Sequence, residues 1–399
     1  MSWDLICNSE QADLNFTFYD SIHLVPQEAW DTVVNGENIY LSLPYLKAVE
    51  ESLDGEIQFR YVVFYCPKHK PVAVCATQVV NFTSGKFQNQ FPKMKGAGVH
   101  SKLLNKMKLK VLVCGNMFVT GENGFHHIPE LPKDIAFKNL TVALYKLRRS
   151  ENFEDSPISL VLIKELWPET LPHAIQLKEN GYKEFNIDVN MVLKMHPGWT
   201  SFDEYMNSMV SKFRTKAKSV IKKSAGLTQR VFNLEDVEMH KDDMYRLYSN
   251  VTEKADFNFA SLNPDAFIGL KKALEDQFVV VGYFEDDQLI GFRSAFVWQG
   301  IMDANYVGLD YDKNAEHAVY QRMLYDLVKD CIDCGASELR LGRTAEQIKS
   351  CLGAEPIHME LYLKHKNSLS NKLLRPLVDS ISPSEFELRK PFKAEFKPA

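Results

Sequence analysis

The densest chemical feature of the sequence is a run of cations that no acidic residue interrupts. Apolar residues recur through the same segment at helical spacing, so it predicts a helix that docks on one face and presents charge on the others. A solvated surface helix has the same pattern. Like charges one turn apart destabilise a helix unless an anion is bound, which favours an anion-binding helix with Arg214 and Lys218 as substrate-binding candidates. The cations are Lys212, Arg214, Lys216, Lys218, Lys222 and Lys223.

A second polar group lies on a strand-like segment around Asp303. On a regular strand Asp303 and Asn305 share one face and Tyr306 takes the other. A general base must lie within hydrogen-bond reach of the proton that it removes. Asp303 is the first candidate for that role, and Glu360 on the last predicted strand is the second. Tyr306 and Tyr320 are binding candidates, although buried tyrosines more often belong to a core.

Patterns for metals and nucleophiles are weak. Cys331-x-x-Cys334 has no second ligand pair at zinc spacing and ends a predicted helix, which favours buried thiols. The pair His126-His127 has no partner cluster in the sequence, so it predicts a polar loop. We therefore expect no metal site.

Composition limits the class of protein. The chain has 399 residues and a net charge of -5, which predicts about two domains and gives no support for a protein that coats DNA. No apolar run approaches the roughly 20 residues that span a bilayer, and the first residues lack the pattern of a signal peptide. The seven cysteines show no disulfide framework. We expect a cytoplasmic protein with no transmembrane segment and no DNA partner.

The order of predicted elements repeats along the chain. Each half reads helices, a hairpin, a strand, a helix, a strand, a short helix, a glycine and a strand. This repeat indicates a duplicated α/β domain, with His196 to Trp199 as the interruption between the copies. The second copy is expected to open with a helix over 201–225 and to close with a strand over 357–365. The predicted divisions are an N-terminal domain of 1–196, a C-terminal domain of 197–370 and a tail of 371–399.

Three segments resemble the tandem acyltransferase-fold proteins of the GNAT superfamily that are related to the Fem peptidyltransferases. They are FRTKAKSVIKKSAGL, NYVGLDYDKNAEHAVYQRMLYDLV and LGRTAEQIKSCLGAEPI. The resemblance is best over 201–365 and weaker over 40–195. It implies two GNAT-like domains, each a mixed sheet whose central strands splay apart around an acyl donor. In such proteins an amine of the acceptor attacks the acyl carbonyl.

The resemblance also implies roles for single residues. Arg214 matches the arginine of the Fem Phe-Arg motif, which grips the phosphate of the acceptor. Lys349 matches the lysine of the Fem Phe-Lys-x-x-Phe-Gly element, which lies near the reacting carbonyl and would stabilise an oxyanion. Without the resemblance, the sequence around Lys349 is equally consistent with a lysine exposed on the surface of a helix. Arg343, at a strand end, is a further binding candidate, or else a salt-bridge partner of Glu346.

The segment LDYDKNAEHA, residues 309–318, departs from the GNAT pattern. GNAT enzymes cradle the pyrophosphate of CoA with a glycine-rich turn at a helix N-terminus, and this segment has three acids and no glycine. Gly121-x-x-Gly124 is the other candidate for binding a cofactor phosphate, although glycine loops mostly just turn the chain.

Three functions follow as hypotheses. The favoured one is an N-acyltransferase that uses acyl-CoA as co-substrate, with no permanently bound cofactor. Its acceptor would be a small molecule, or a lipid or peptidoglycan precursor. The second is a peptidyltransferase that takes its acyl group from aminoacyl-tRNA. The third is a tandem domain that binds an anionic ligand without catalysis.

Overall fold

The computed structural model describes residues 13–53, 57–83, 108–150, 157–254, 262–379 and 385–396. It divides into two compact units. The first unit consists of 1–188 and 358–383, and the second of 189–357 and 384–399. Among the residues described, no helix combines the length and the apolar character that crossing a membrane requires.

The first unit is an eight-stranded mixed sheet with helices. Its strands follow the order β1-β2-β3-β4-β6-β15-β7, and β5 pairs with β3. The strands are β1 Asn15–Tyr19, β2 Gln58–Tyr65, β3 Pro71–Thr83, β4 Lys108–Cys114, β5 Phe125–His127, β6 Leu160–Leu166, β7 Lys183–Phe185 and β15 Glu360–His365. The helices are α1 Gln27–Val34, α2 Leu43–Ser52, α3 Lys133–Ser150, α4 Ile175–Glu179 and α12 Ser368–Asp379.

The core of the first unit lies between this sheet and α3. Every residue of β6 is buried, as expected for a strand in the middle of a sheet that is covered on both faces. Helix α3 contributes Phe137, Leu140, Leu144 and Leu147, whose spacing places them on one helical face.

The second unit is a seven-stranded mixed sheet in the order β14-β8-β13-β12-β11-β10-β9. Its strands are β8 Val189–Lys194, β9 Thr228–Val231, β10 Phe278–Glu285, β11 Gln288–Trp298, β12 Ile301–Leu309, β13 Glu338–Arg340 and β14 Glu355–His358. Its helices are α5 Phe202–Ser208, α6 Ser211–Lys223, α7 Leu234–Lys254, α8 Pro264–Leu274, α9 Tyr311–His317, α10 Val319–Asp333 and α11 Glu346–Ser350.

The two sheets have the same plan, which confirms the expected tandem of mixed α/β domains. In the first, four antiparallel strands end at β4, which pairs parallel with β6, and β6 pairs antiparallel with β15. In the second, four antiparallel strands end at β12, which pairs parallel with β13, and β13 pairs antiparallel with β8. The duplication that the order of elements predicted is therefore present in the three-dimensional structure.

The central strands of the second sheet diverge. β12 and β13 pair only from Ile301 to Asp303 with Glu338 to Arg340, whereas β12 continues to Leu309. Beyond Arg340 the chain stays with β8, because Leu341 N–H donates to Met191 O and Met191 N–H donates to Gly342 O. We call the gap between β12 and this continuation the splay.

Each sheet contains a strand from the other half of the sequence. β8 lies between β13 and β14 in the second sheet, and β15 lies between β6 and β7 in the first. The unit boundary consequently falls at 188/189, where the prediction had 196/197, and 358–383 belongs to the first unit. The predicted strand over 357–365 is two strands, β14 and β15, that enter different sheets.

Two further elements differ from prediction because of tertiary contacts. The helix expected over 201–225 is interrupted between α5 and α6, where Met209 forms a β-bridge with Phe392 and Val210 N–H donates to Pro391 O. The expected tail therefore contributes to the second core, since the ring of Phe392 packs against Trp199 and Tyr205.

Candidate functional site

Lys349 of α11 is buried, which excludes the alternative of an exposed helix lysine. Its side chain is 3% exposed, and its ammonium donates to the backbone carbonyls of Gly342, at 3.2 Å, and of Arg343. Burial lowers the pKa of Lys349 from 10.5 to about 7, with the Glu346 carboxylate opposing this change and the Arg343 cation adding to it. Lys349 is therefore close to the midpoint of its titration at neutral pH.

The segment that Lys349 holds has a strained backbone. Gly342, Thr344 and Ala345 have φ values of 69°, 64° and 53°. Left-handed geometry costs residues other than glycine about 1–2 kcal/mol each, most for a β-branched residue such as threonine. Such strain persists where surrounding contacts over-determine it, and it concentrates at functional sites. The ammonium of Lys349 supplies two of these contacts.

Asp303 and Tyr306 lie on the opposite wall of the splay. Asp303 is 2% exposed and belongs to the last residue pair that joins β12 to β13. The register of β12 against β11 shifts between Arg293 and Ala295, and Ser294 Oγ exchanges hydrogen bonds with the backbone of Tyr306.

This irregularity corrects the predicted orientation of Tyr306. Its ring packs 6.2 Å from Phe296, which lies directly across the ladder from Asp303. Asp303 and Tyr306 therefore share one face of the sheet, because the extra residue breaks the two-residue alternation of the strand. Asn305 turns its amide back to Asp303 O, at 3.1 Å.

The two walls of the splay approach each other at Gly342. A Cβ added to Gly342 would have the Ala304 carbonyl oxygen as its nearest neighbour, 3.9 Å away. The structure thus brings the segment held by Lys349 next to the strand that bears Asp303 and Tyr306. Arg343 lies in that segment and is half-buried.

The predicted cationic helix is α6. It buries Ala217 and Val220 and exposes Lys218, while Arg214 is half-buried. In the part of the chain that the structure describes, neither Arg214 nor Lys218 has a side-chain hydrogen bond or an ion pair.

Helix α6 also borders a pocket. Lys216 Nζ lies 3.8 Å from Cys351 Sγ. The pocket is formed by residues of α6, α10 and the α11 region: Lys216, Val220, Gln321, Leu324, Tyr325, Ile348, Cys351 and Leu352. The pocket therefore lies between α6, α10, which comes after β12 and α9, and the α11 region, which comes after β13.

The turn that would face a CoA pyrophosphate is already capped. The Asp310 carboxylate accepts hydrogen bonds from the backbone N–H groups of Asp312, at 3.0 Å, and Lys313, at 3.2 Å. A carboxylate thus occupies the amides that a phosphate would use, and this turn does not fit the pyrophosphate. Tyr320, on the following helix α10, donates its backbone N–H to Asn314 Oδ1, and burial raises the pKa of its hydroxyl.

Glu360 lies in the first unit, where sequence reasoning had assigned it to the second. It begins β15, pairs with Leu166 of β6, and accepts a hydrogen bond of 2.7 Å from the Tyr362 hydroxyl. Because of the strand exchange Glu360 belongs to the first sheet, whereas Asp303 belongs to the second.

The two candidate glycines have structural contacts in the first unit. Gly121 N–H donates to Glu165, at 2.7 Å, and that carboxylate also binds the buried Lys164 ammonium. A Cβ on Gly124 would lie 2.2 Å from Gly115 N, so close backbone approach requires glycine there. Phosphate binding by these glycines stays a prediction.

One group of side chains in the described residues has the spacing of metal ligands. It consists of Glu285, Glu316 and His317. The Lys313 ammonium already binds Glu285, and His317 Nε2 lies 2.6 Å from the same carboxylate. Glu285 thus contacts both Lys313 and His317 in this structure. Cys331 is buried, whereas Cys334 at the end of α10 is exposed.

Comparison with known proteins gives similarities of structure only. No family model and no curated protein matches the chain. FemX is 11% identical with a TM-score of 0.49, over 82% of this chain and 92% of FemX. A tandem GNAT protein from the clavulanic acid biosynthesis pathway is 8% identical with a TM-score of 0.49, over 89% of this chain and 99% of that one. L-PGS from Bacillus licheniformis is 10% identical with a TM-score of 0.48, over 84% and 92%. These values compare the path of the backbone in this chain with the path in each of the other proteins.

Proposed function

We propose that this protein is an N-acyltransferase whose second unit transfers an acyl group to an amine of an anionic acceptor. The observation that supports this most is the splay itself. Two parallel strands separate after three residue pairs, with a buried carboxylate at the point of separation and a buried ammonium behind the diverging segment. Acyl transfer needs a slot for the acyl group, a group that removes a proton and a charge that stabilises an oxyanion.

The proposed reaction is a direct attack by the amine. Its nitrogen lone pair forms a bond to the donor carbonyl carbon, and the carbonyl electrons move to the oxygen. Asp303 accepts the proton that the nitrogen loses. Lys349 has three N–H donors, of which two bind backbone carbonyls, and the third is directed to the developing oxyanion. Collapse of the tetrahedral species breaks the bond from the carbonyl carbon to the donor sulfur or oxygen, and the thiolate or alkoxide that leaves takes the proton back from Asp303, which restores the carboxylate.

The acceptor is proposed to carry a phosphate. Arg214 and Lys218 supply cations on α6, and a guanidinium binds phosphate through paired N–H groups. Tyr306, Tyr320 and Arg343 are the further substrate-binding residues in this proposal. A small phosphorylated amine fits these requirements, and so does the head group of a lipid or a peptidoglycan precursor.

The donor distinguishes two versions of the proposal. Acyl-CoA is the simpler one, and its pyrophosphate would have to bind away from the turn that Asp310 caps. The same cap favours the alternative, an aminoacyl ester of tRNA, because that donor has no pyrophosphate to place there. In the alternative the protein is a peptidyltransferase of the Fem type.

The first experiment identifies the donor. Native mass spectrometry of the purified protein should detect a co-purified CoA ester or RNA. Release of thiol from a series of acyl-CoA esters should then be measured with phosphorylated amines as acceptors, in parallel with transfer from aminoacyl-tRNA. Turnover in neither assay, with both series of substrates, contradicts the proposal.

Variants test the assigned roles. Lys349→Met should lower kcat by about a hundredfold or more, since oxyanion stabilisation acts where charge develops. Lys272→Met is the control, because Lys272 is an exposed lysine of helix α8. Equal activity of Lys349→Met and the wild type would exclude the catalytic role.

A further inference from the structure

Asn190 is a buried carboxamide for which the fold provides no partner. Its side chain is 0% exposed. Neither its Nδ2 nor its Oδ1 forms a hydrogen bond within the described structure. Folded proteins satisfy the great majority of buried polar groups, because an unmet donor or acceptor keeps the full penalty of leaving water. A residue with both atoms unmet therefore requires an explanation.

Asn190 lies beside the splay. It precedes Met191, whose backbone binds both Leu341 and Gly342, the first residues of the segment that leaves β12. Gly342 O is also the acceptor of the Lys349 ammonium. Asn190 is thus the neighbour in β8 of Met191, and Met191 and the Lys349 ammonium both bind the carbonyl of Gly342.

Its side chain faces the same side of the sheet as Asp303. Val189 and Met191 belong to the core on one face of β8, so the intervening Asn190 points to the other. Met302 belongs to the same core, which places Asp303 on the opposite face. In the ladder Asp303 pairs with Arg340, and Arg340 pairs with Val192, two residues from Asn190. Asp303 and Asn190 therefore occupy one face on either side of the splay.

We infer that the Asn190 carboxamide binds a secondary amide of a ligand held in the splay. Nδ2 donates to the amide carbonyl and Oδ1 accepts from the amide N–H, so one group satisfies both atoms. A phosphate would leave Oδ1 facing an anion without a donor. Two sources have this chemistry, the pantetheine arm of an acyl-CoA and a peptide-like acyl donor or acceptor. The inference rests on the proposed function for its choice of site, and it makes Asn190 a positioning residue.

The strand exchange explains why no motif marked this residue. β8 belongs to the first half of the sequence but pairs with β13, so the segment before the expected boundary supplies a side chain to the second sheet. The sequence DVNMVLKM contains an asparagine within an apolar strand, and that interruption is the one signal available.

The test combines stability with binding. Asn190→Leu keeps the size of the side chain and removes its polar atoms, so the melting temperature of the ligand-free protein should rise. Affinity for D-pantetheine or for N-acetylalanine methylamide, measured by calorimetry, should fall about tenfold or more, as expected for the loss of two hydrogen bonds. Loss for pantetheine alone identifies the CoA arm, and loss for the peptide amide alone identifies a peptide-like ligand.

Asn139→Leu is the matched control. Asn139 is a buried asparagine whose Oδ1 accepts from Leu14 N–H and whose Nδ2 donates to Ile135 O, so its replacement should lower the melting temperature. If Asn190→Leu lowers the melting temperature to the same extent, Asn190 has a structural role and the inference is wrong. Absence of binding of either probe to the wild type also overturns it. If Asn190→Leu does not fold, Asn190→Ala provides the same binding comparison.

Transferase kinetics separate this inference from the proposed function. If the wild type transfers acyl groups and Asn190→Leu retains its KM for the amide-bearing substrate, the inference alone fails. If the probes bind through Asn190 while no acyl transfer occurs, the proposed function fails and the binding site remains.

Discussion

The replacement of Lys349 by methionine offers the sharpest physical test, because the burial of this ammonium sets a calculable dependence of stability on pH. The pKa of Lys349 is about 7 in the folded protein, against 10.5 for an exposed lysine, which corresponds to about 5 kcal/mol. Between these values the unfolded chain binds more protons than the folded one. The free energy of unfolding therefore gains about 1.4 kcal/mol for each pH unit in this window. Below about pH 7 the whole penalty is present and the contribution is constant.

Urea denaturation of the wild type and of Lys349→Met at several pH values measures this contribution. The contributions of all other titrating groups cancel when the free energy of unfolding of Lys349→Met is subtracted from that of the wild type. This difference in stability should change in favour of the wild type as the pH rises above 7. Lys272→Met, at an exposed position, should give a constant difference. Parallel stability curves for the wild type and Lys349→Met would refute the reasoning, because they would mean that the ammonium is solvated in the folded protein.

Three further predictions concern other parts of the molecule. Arg214→Ala should raise KM for the phosphorylated acceptor about 10- to 100-fold with little change in kcat, and Arg214→Lys should restore part of the loss in a steady-state assay. A fragment of residues 1–196 should stay unfolded by circular dichroism, because it lacks β15 between β6 and β7, and co-expression with 197–399 should restore both parts. Gly124→Ala should destabilise the protein by about 3 kcal/mol in urea, because its Cβ would meet backbone, whereas Gly226→Ala meets no atom within 4 Å and should change stability by less than about 0.5 kcal/mol.

Local sequence patterns predicted the elements well where each element depends on its own residues. The hairpin of β10 and β11 forms in the second half as the order of elements predicts, since the continuous apolar run of β10 and the turn at Asp286-Asp287 are local signals. The cationic helix also forms, although Met209 interrupts the longer helix expected there. That interruption depends on Phe392, which is remote in sequence and gave no local signal.

The candidate site was predictable only in part. Asp303 and Lys349 were identified by residue type and by family resemblance, and the structure places both beside the splay. The burial of Lys349 was not predictable, because a lysine in a five-residue helix is usually exposed, and this one is buried where α11 packs on β8 and its ammonium binds the divergent segment. The orientation of Tyr306 depended on a bulge opposite Ser294 that alternation alone does not show.

The sequence by itself determined that the chain is a duplicated α/β protein, because helical and strand periodicities are properties of consecutive residues and repeat in the same order in both halves. The tertiary structure alone decided which strand enters which sheet. Backbone hydrogen bonds between strands do not depend on side-chain identity. The amino-acid sequences of β8 and β15 therefore do not show that each strand pairs with strands from the other half of the chain. That pairing places Glu360 in the first sheet and Asn190 in the second, beside the splay.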